Sequence, residues 1–225
     1  MASSVIFEDQ LEIPFLHSLG EFRAWAGSDR FPERGRIDYL AGRIEVDMSP
    51  EDIFSHGTLK TEIVRGLTQI VKATGIGYLL SDRTRVSSPT ADLSAEPDVV
   101  FLSEQSLDDG LARLVPKTTG EPDRYVEVEG GPDLVVEIVS DRSVVKDTRR
   151  LPAAYYRAGV REFWLIDARG ETLLFQIHRR GPDAFEAVEL DANGSQFSAV
   201  LSTSFQLHRQ RNDRGRWTFD LRTSS

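Results

Sequence analysis

The chain has 225 residues, 40% of them hydrophobic and 28% charged, with a net charge of −9 and no cysteine. That length and composition fit one folded α/β-sized domain, and no apolar run reaches the roughly 20 residues needed to cross a bilayer. Missing cysteine excludes disulfides, thiolate metal sites and a cysteine nucleophile, while the acidic balance excludes tight nonspecific nucleic-acid binding and leaves room only for a local contact.

The stretch Met1–Glu8 lacks a basic region followed by an apolar one, so a cytoplasmic location is expected. Residues 1–14 and 222–225 are expected to be flexible termini of a single domain spanning 1–225. Phe15, Leu16, Leu19, Phe22 and Trp25 have helical spacing. Arg36–Leu40 and Arg43–Met48 alternate around Ala41-Gly42, which predicts a hairpin. Ser49-Pro50-Glu51-Asp52 then supplies a helix start, and from His56 the residues Leu59, Ile63, Leu67 and Ile70 form one apolar stripe that stops before Gly75. Strands are expected around Gly77–Leu80 and Arg83–Ser87, followed by a polar loop over Ser88–Glu96 and a strand at Val99–Leu102.

Between 103 and 131 the pattern is least regular. Leu107, Leu111 and Leu114 suggest a short helix, and Lys117–Asp123 reads as a mobile loop. Leu134–Val139 is a strand, Asp141–Gly159 contains a helix with Pro152 near its first turn, and Glu162–Asp167 is a strand again. Thr172–His178 and Phe185–Leu190 predict an antiparallel pair, and Ser204–Leu221 a terminal hairpin around Asn212-Asp213-Arg214-Gly215. The order of elements implies a mixed central sheet flanked by helices, with additional hairpins.

Two of these apolar runs each hold a carboxylate. Asp98 opens Val99-Val100-Phe101-Leu102, and Glu137 sits inside Leu134-Val135-Val136-Glu137-Ile138-Val139. Ionised carboxylates in buried strands are costly unless they are paired or bind metal. Asp98, Glu137 and the backbone carbonyl of Ile138 would suit a hard cation such as Mg²⁺ or Mn²⁺. Asp133 follows the same Pro-Asp pattern and reads as strand-entry chemistry. Glu62 reads as a solvated helix residue, and Tyr155, Phe163 and Trp164 as packing between helix and sheet. His56, at the first turn and on the apolar side of its helix, is by itself an ordinary packing or capping residue. No glycine-rich phosphate loop, Gly-x-Ser-x-Gly elbow or close histidine pair is present, which argues against a nucleoside triphosphatase, a common serine hydrolase and a zinc hydrolase.

Pro97-Asp98, then Pro132-Asp133-Leu134-Val135-Val136-Glu137-Ile138-Val139-Ser140, then Asp147, Tyr155 and Gly159–Asp167 resemble the Uma-two family of endonucleases, in the PD-(D/E)XK restriction-endonuclease-like superfamily. The hairpin ending Met48-Ser49-Pro50-Glu51, with His56 and its helix, extends the resemblance over roughly Ile37 to Phe205. It implies a restriction-endonuclease-like fold and metal-dependent hydrolysis of DNA, with Asp98 and Glu137 as metal ligands and His56 at the edge of the site. The lysine expected two residues after the glutamate is absent, since that position is Val139. A variant pattern takes the cation from the next helix, where Lys146, Arg149 and Arg150 are candidates. Lys146 is favoured because an ammonium can lose its proton when its pKa falls and a guanidinium cannot. A double-strand cut implies a homodimer, which sedimentation at micromolar concentration would detect. The rivals are a catalytically degenerate nuclease-fold binding module, favoured by Val139 and the acidic charge, and a metal-dependent hydrolase of another phosphate substrate.

Overall fold

A computed structural model describes residues 13–118 and 120–224. Helix α1 (Leu19–Ala26) starts later than the apolar spacing suggests, because Ser18 caps it by accepting from Glu21 N; Phe15 stays exposed. Strands β1 (Arg36–Leu40) and β2 (Arg43–Asp47) form the expected hairpin. Its two-residue turn needs positive φ at both centres, and Ala41 (46°) and Gly42 (78°) supply it. Asp52 then accepts from Phe54 N and Ser55 N, starting a π-helical turn (Ile53–Thr58) that runs into α2 (Leu59–Thr74). Gly75, at φ 66°, ends α2.

Strands β3 (Gly77–Ser81) and β4 (Arg85–Ser88) follow. The loop expected over Ser88–Glu96 contains a short strand instead, β5 (Leu93–Ala95), which leads into β6 (Val99–Ser103). Helix α3 (Glu104–Asp108) is shorter than expected, and Leu111 and Leu114 lie beyond it. After α3 come β7 (Ala112–Pro116) and β8 (Tyr125–Gly130), neither of them expected, then β9 (Leu134–Ile138). A second π turn (Lys146–Arg150) precedes α4 (Leu151–Ala158), with Pro152 in its first turn. The last strands are β10 (Glu162–Asp167), β11 (Leu174–Arg180), β12 (Phe185–Ala187), β13 (Gln196–Ser198), β14 (Thr203–Arg211) and β15 (Trp217–Ser224). Arg222–Ser224, expected to be a flexible end, pair with Ser204–Gln206 in the terminal hairpin. Of the flexible stretch expected over 1–14, residues 1–12 lie outside the described residues.

The strands form a sheet ordered β12-β11-β10-β9-β6-β3, a second ordered β2-β1-β5-β4-β8-β7, and a three-stranded sheet β13-β14-β15. The second sheet is larger than the additional hairpins foreseen. In the first sheet β9 and β10 are parallel and β6 runs antiparallel to β9. Side chains alternate across a strand, so each apolar run serves two cores. Val99, Phe101, Val136, Ile138 and Trp164 face Leu59, Ile63, Leu67 and Val71 of α2 together with Phe205 and Leu221. On the opposite face Val135, Val139, Phe163 and Leu165 pack on α4, while Val100 and Leu102 pack on Val86 and Val128 of the second sheet. Glu62 is not merely solvated, since its Oε1 accepts from Leu221 N at 2.8 Å and ties α2 to β15.

Phe205 is fully buried between the terminal sheet and Trp164. Phe205→Ala is expected to cost about 3–5 kcal/mol in a single denaturant transition. Two separate transitions would mean that the terminal sheet folds apart from the rest.

Candidate functional site

Continuing the β6–β9 register by one residue from Val99↔Val136 puts Asp98 opposite Glu137. Both carboxylates project toward α4 and the second sheet, and both are fully buried. Asp98 Oδ2 accepts from Ile138 N at 2.7 Å, which locks the aspartate to the strand that carries Glu137. Glu137 Oε1 accepts from the hydroxyl of Tyr155 at 2.6 Å. Tyr155 packs between α4 and the sheet as expected, but its hydroxyl also fixes the glutamate.

Three cations converge on Asp98 Oδ1. Arg36 Nη2 from β1 lies at 2.7 Å, Lys60 Nζ from α2 at 3.2 Å and His56 Nε2 at 3.5 Å. Arg36 also spans the gap to Glu137, with Nη1 3.8 Å from Oε2. Burial pushes the Asp98 carboxyl upward, but Arg36, His56 and Lys60 outweigh it and hold the group well below the usual carboxylate range. Glu137 goes the other way. Burial, then the charges of Asp147 and Asp98, raise it well above the usual value.

His56 is buried, with Nδ1 3.1 Å from Glu51 Oε2, although the angle is not that of a hydrogen bond. Burial opposes its charge, but Asp98 and Glu51 together push the imidazole up to about 9. The imidazolium in turn holds Glu51 at about 2. Lys60 also contacts Glu51 at 3.2 Å and Asp82 at 3.0 Å. Asp82 and Arg83 both adopt positive φ in the tight β3–β4 turn, which brings the Asp82 carboxylate over the site.

Lys146 reaches the cluster but pairs with neither Asp98 nor Glu137. Its Nζ lies 2.7 Å from Asp38 Oδ2, and Asp38 Oδ1 accepts from Glu96 N at 3.0 Å. Lys146 therefore braces the segment that delivers Asp98. The lowered pKa for which Lys146 is favoured is not seen, and Lys60 shifts upward as well. Burial alone would lower them, but Asp38 raises Lys146, and Asp98, Asp82 and Glu51 raise Lys60. Arg150 pairs with Glu45 outside the cluster, and Arg149 lines a separate groove beside Tyr156. Asp133 is strand-entry chemistry as expected, accepting from Ser103 N and Ser106 Oγ and pairing with Arg161.

A cavity of about 360 Å³ opens onto this cluster, with Arg36, Glu51, His56, Glu96, Ile138 and Ser140 in its wall. The Ile138 side chain belongs to the core, so its backbone is what meets the cavity. Lys146 instead lines a smaller neighbouring space with Asp47 and Arg142. Among the described residues Glu137 Oε2 and Asp147 Oδ1 are buried without a hydrogen-bond partner. Asp147 accepts from Ser143 Oγ through its other oxygen, and burial raises it to about 6. A buried carboxylate oxygen without a hydrogen-bond partner, such as Glu137 Oε2 opposite Asp98, is chemically suited to a hard divalent cation. Glu51, His56 and Asp98 also bring donor atoms within 4.8 Å of one another, but each His56 nitrogen faces a carboxylate, which suits an imidazolium better than a ligand.

The patterns that reveal Asp98 and Glu137 do not reveal Arg36, Asp38 or Lys60. Arg36 and Asp38 read as the polar half of an alternating strand, and Lys60 as a solvated position beside the apolar stripe.

The crystal structure of a "putative nuclease belonging to DUF820" from Anabaena variabilis ATCC 29413 is similar, with a TM-score of 0.60 and 21% identity over 82% of this chain and 90% of that one. That likeness supports the restriction-endonuclease-like architecture of mixed sheets flanked by helices. No curated protein matches the chain. A family model, Uma2, described as "Putative restriction endonuclease", matches residues 19–210, a span that holds the whole carboxylate cluster, and the chain belongs to that family.

Proposed function

We propose that this protein is a divalent-metal-dependent endonuclease that hydrolyses DNA phosphodiester bonds. The observation that carries the reading is the pair Asp98 and Glu137, fully buried on facing strands, with Glu137 Oε2 lacking a hydrogen-bond partner beside Ile138 and Arg36, which line an open cavity. Asp98, Glu137 and the Ile138 carbonyl would hold Mg²⁺ or Mn²⁺. When bound, the ion would supply Lewis-acid polarisation of a phosphate oxygen and a more acidic water.

The protein's own groups do the positioning. The Ile138 amide fixes Asp98, and Tyr155 fixes Glu137, so both carboxylates present defined oxygens. Lys60, the amine in contact with Asp98, remains an ammonium and so stabilises charge on the phosphate instead of accepting a proton from water. His56, an imidazolium at the rim, adds positive charge beside the same oxygen. Lys146 acts one step away, through Asp38 and the Glu96 amide.

Exchanging each lysine for methionine separates these roles. Lys60→Met should lower plasmid cleavage about a hundredfold with little loss of stability, because Asp98 keeps Arg36 and His56. Lys146→Met should destabilise the fold by about 3–5 kcal/mol, because it strands buried Asp38. The reverse pattern in urea melts and cleavage assays would reject the assignment. The second reading, a noncatalytic nuclease-fold module, draws on Arg36 spanning the carboxylates. It predicts no cleavage of DNA by the wild type with either Mg²⁺ or Mn²⁺.

A further inference from the structure

Arg36 stands where a shared cation belongs. Its two terminal nitrogens lie 2.7 Å from Asp98 Oδ1 and 3.8 Å from Glu137 Oε2. A divalent ion would need those same oxygens at about 2.0–2.1 Å, so ion and guanidinium cannot share them. Four cations meet at the cluster: Arg36, His56, Lys60 and Lys146. Of the four cations Arg36 is the one with a way out. Its side chain is 22% exposed, against 9% or less for the others, and it already forms part of the cavity wall.

Resting on the metal-dependent reading above, we infer that Arg36 is a displaceable internal cation. It bridges Asp98 and Glu137 in the metal-free protein, gives up that position to the metal, and turns its guanidinium into the cavity to hold a substrate phosphate. Arginine suits both tasks, since its planar fork pairs with two carboxylate oxygens or with two phosphate oxygens. The binding-competent state is then only a fraction of the metal-free ensemble, and apparent metal affinity falls by that fraction.

The test is Mn²⁺ calorimetry on wild type, Arg36→Met and Arg36→Lys, with binding of a short DNA duplex measured in Ca²⁺. Arg36→Met should bind Mn²⁺ at least about tenfold more tightly, as expected if Arg36 holds the carboxylates roughly nine-tenths of the time. The same variant should bind the duplex more weakly, about tenfold. These opposite changes separate displacement from a merely structural arginine, whose loss would weaken both. Arg36→Lys, whose single ammonium cannot span both carboxylates, should bind Mn²⁺ more tightly than wild type but less tightly than Arg36→Met, and it carries the test if Arg36→Met does not fold. Equal or weaker Mn²⁺ binding in the folded variants overturns the role of Arg36 alone. No Mn²⁺ binding by either wild type or variants overturns the metal-dependent reading, and this inference with it.

Discussion

Glu137→Gln should abolish cleavage, by about a thousandfold or more, while leaving the metal-free protein as stable as the wild type or slightly more so. The two halves of this expectation have different origins. The activity loss follows from removing a charged oxygen from the metal position. The stability result follows from the local electrostatics, because Glu137 is buried, repelled by Asp147 and Asp98, and has one oxygen without a hydrogen-bond partner. A glutamine keeps an oxygen for the Tyr155 hydroxyl and removes the repulsion. Denaturant melts in chelator, run beside a plasmid assay, check both halves. Retained cleavage, or a loss of more than about 2 kcal/mol, would contradict the account.

Asp98→Asn should behave differently at the same site. Arg36, His56 and Lys60 all lean on this one carboxylate, whose proton affinity they depress far below the ordinary range. Neutralising it leaves the buried histidine and lysine short of counter-charge, and a cost of at least about 3 kcal/mol is expected in the metal-free protein. Cleavage should be lost as well. The sign of the linked pH effect follows from the depressed carboxyl. Its contribution is complete above the ordinary aspartate range and is lost progressively as pH falls from that range toward the folded value, so the stability advantage of the wild type over Asp98→Asn should shrink in acid. Unfolding midpoints across the acid range would show this, and superimposable profiles for the two proteins would refute it.

The contrast between these variants matters because the two residues look alike in sequence, each a carboxylate in an apolar run. The run signals burial, and burial forces a choice between pairing and metal binding. It does not say which partner arrives. Asp98 obtains Arg36, Lys60 and His56 from three elements distant in the chain, whereas Glu137 obtains only Tyr155 and a distant guanidinium. Pairings of that kind depend on how the second sheet docks on the first, and local patterns carry little of that information. Much of that sheet is hard to read for the same reason. β5 has only three residues, and the β7–β8 hairpin falls in a stretch where leucine spacing mimics a short helix. By contrast β10, buried on both faces, occupies the residues its unbroken run Glu162–Asp167 suggests.

Lys146 illustrates the limit from the other side. It is buried, cationic and on the π turn after β9, as the missing lysine after Glu137 would suggest. Its partner is Asp38, a residue that an alternating hairpin strand would place in solvent. The amine beside Asp98 comes instead from α2, one residue away from the apolar stripe that marks that helix. A position next to a buried stripe can reach around the helix end into a site, and helical periodicity alone does not separate it from a solvated lysine.

The proposed mechanism places one divalent ion between Asp98 and Glu137. The most direct measurement is a crystal soaked in Mn²⁺, with diffraction recorded above the manganese absorption edge. One anomalous peak is expected within bonding distance of Asp98, Glu137 and the Ile138 carbonyl, with the Arg36 side chain moved out into the cavity. A peak among Glu51, His56 and Asp98 instead, or an unchanged Arg36 bridge with no peak, would contradict it.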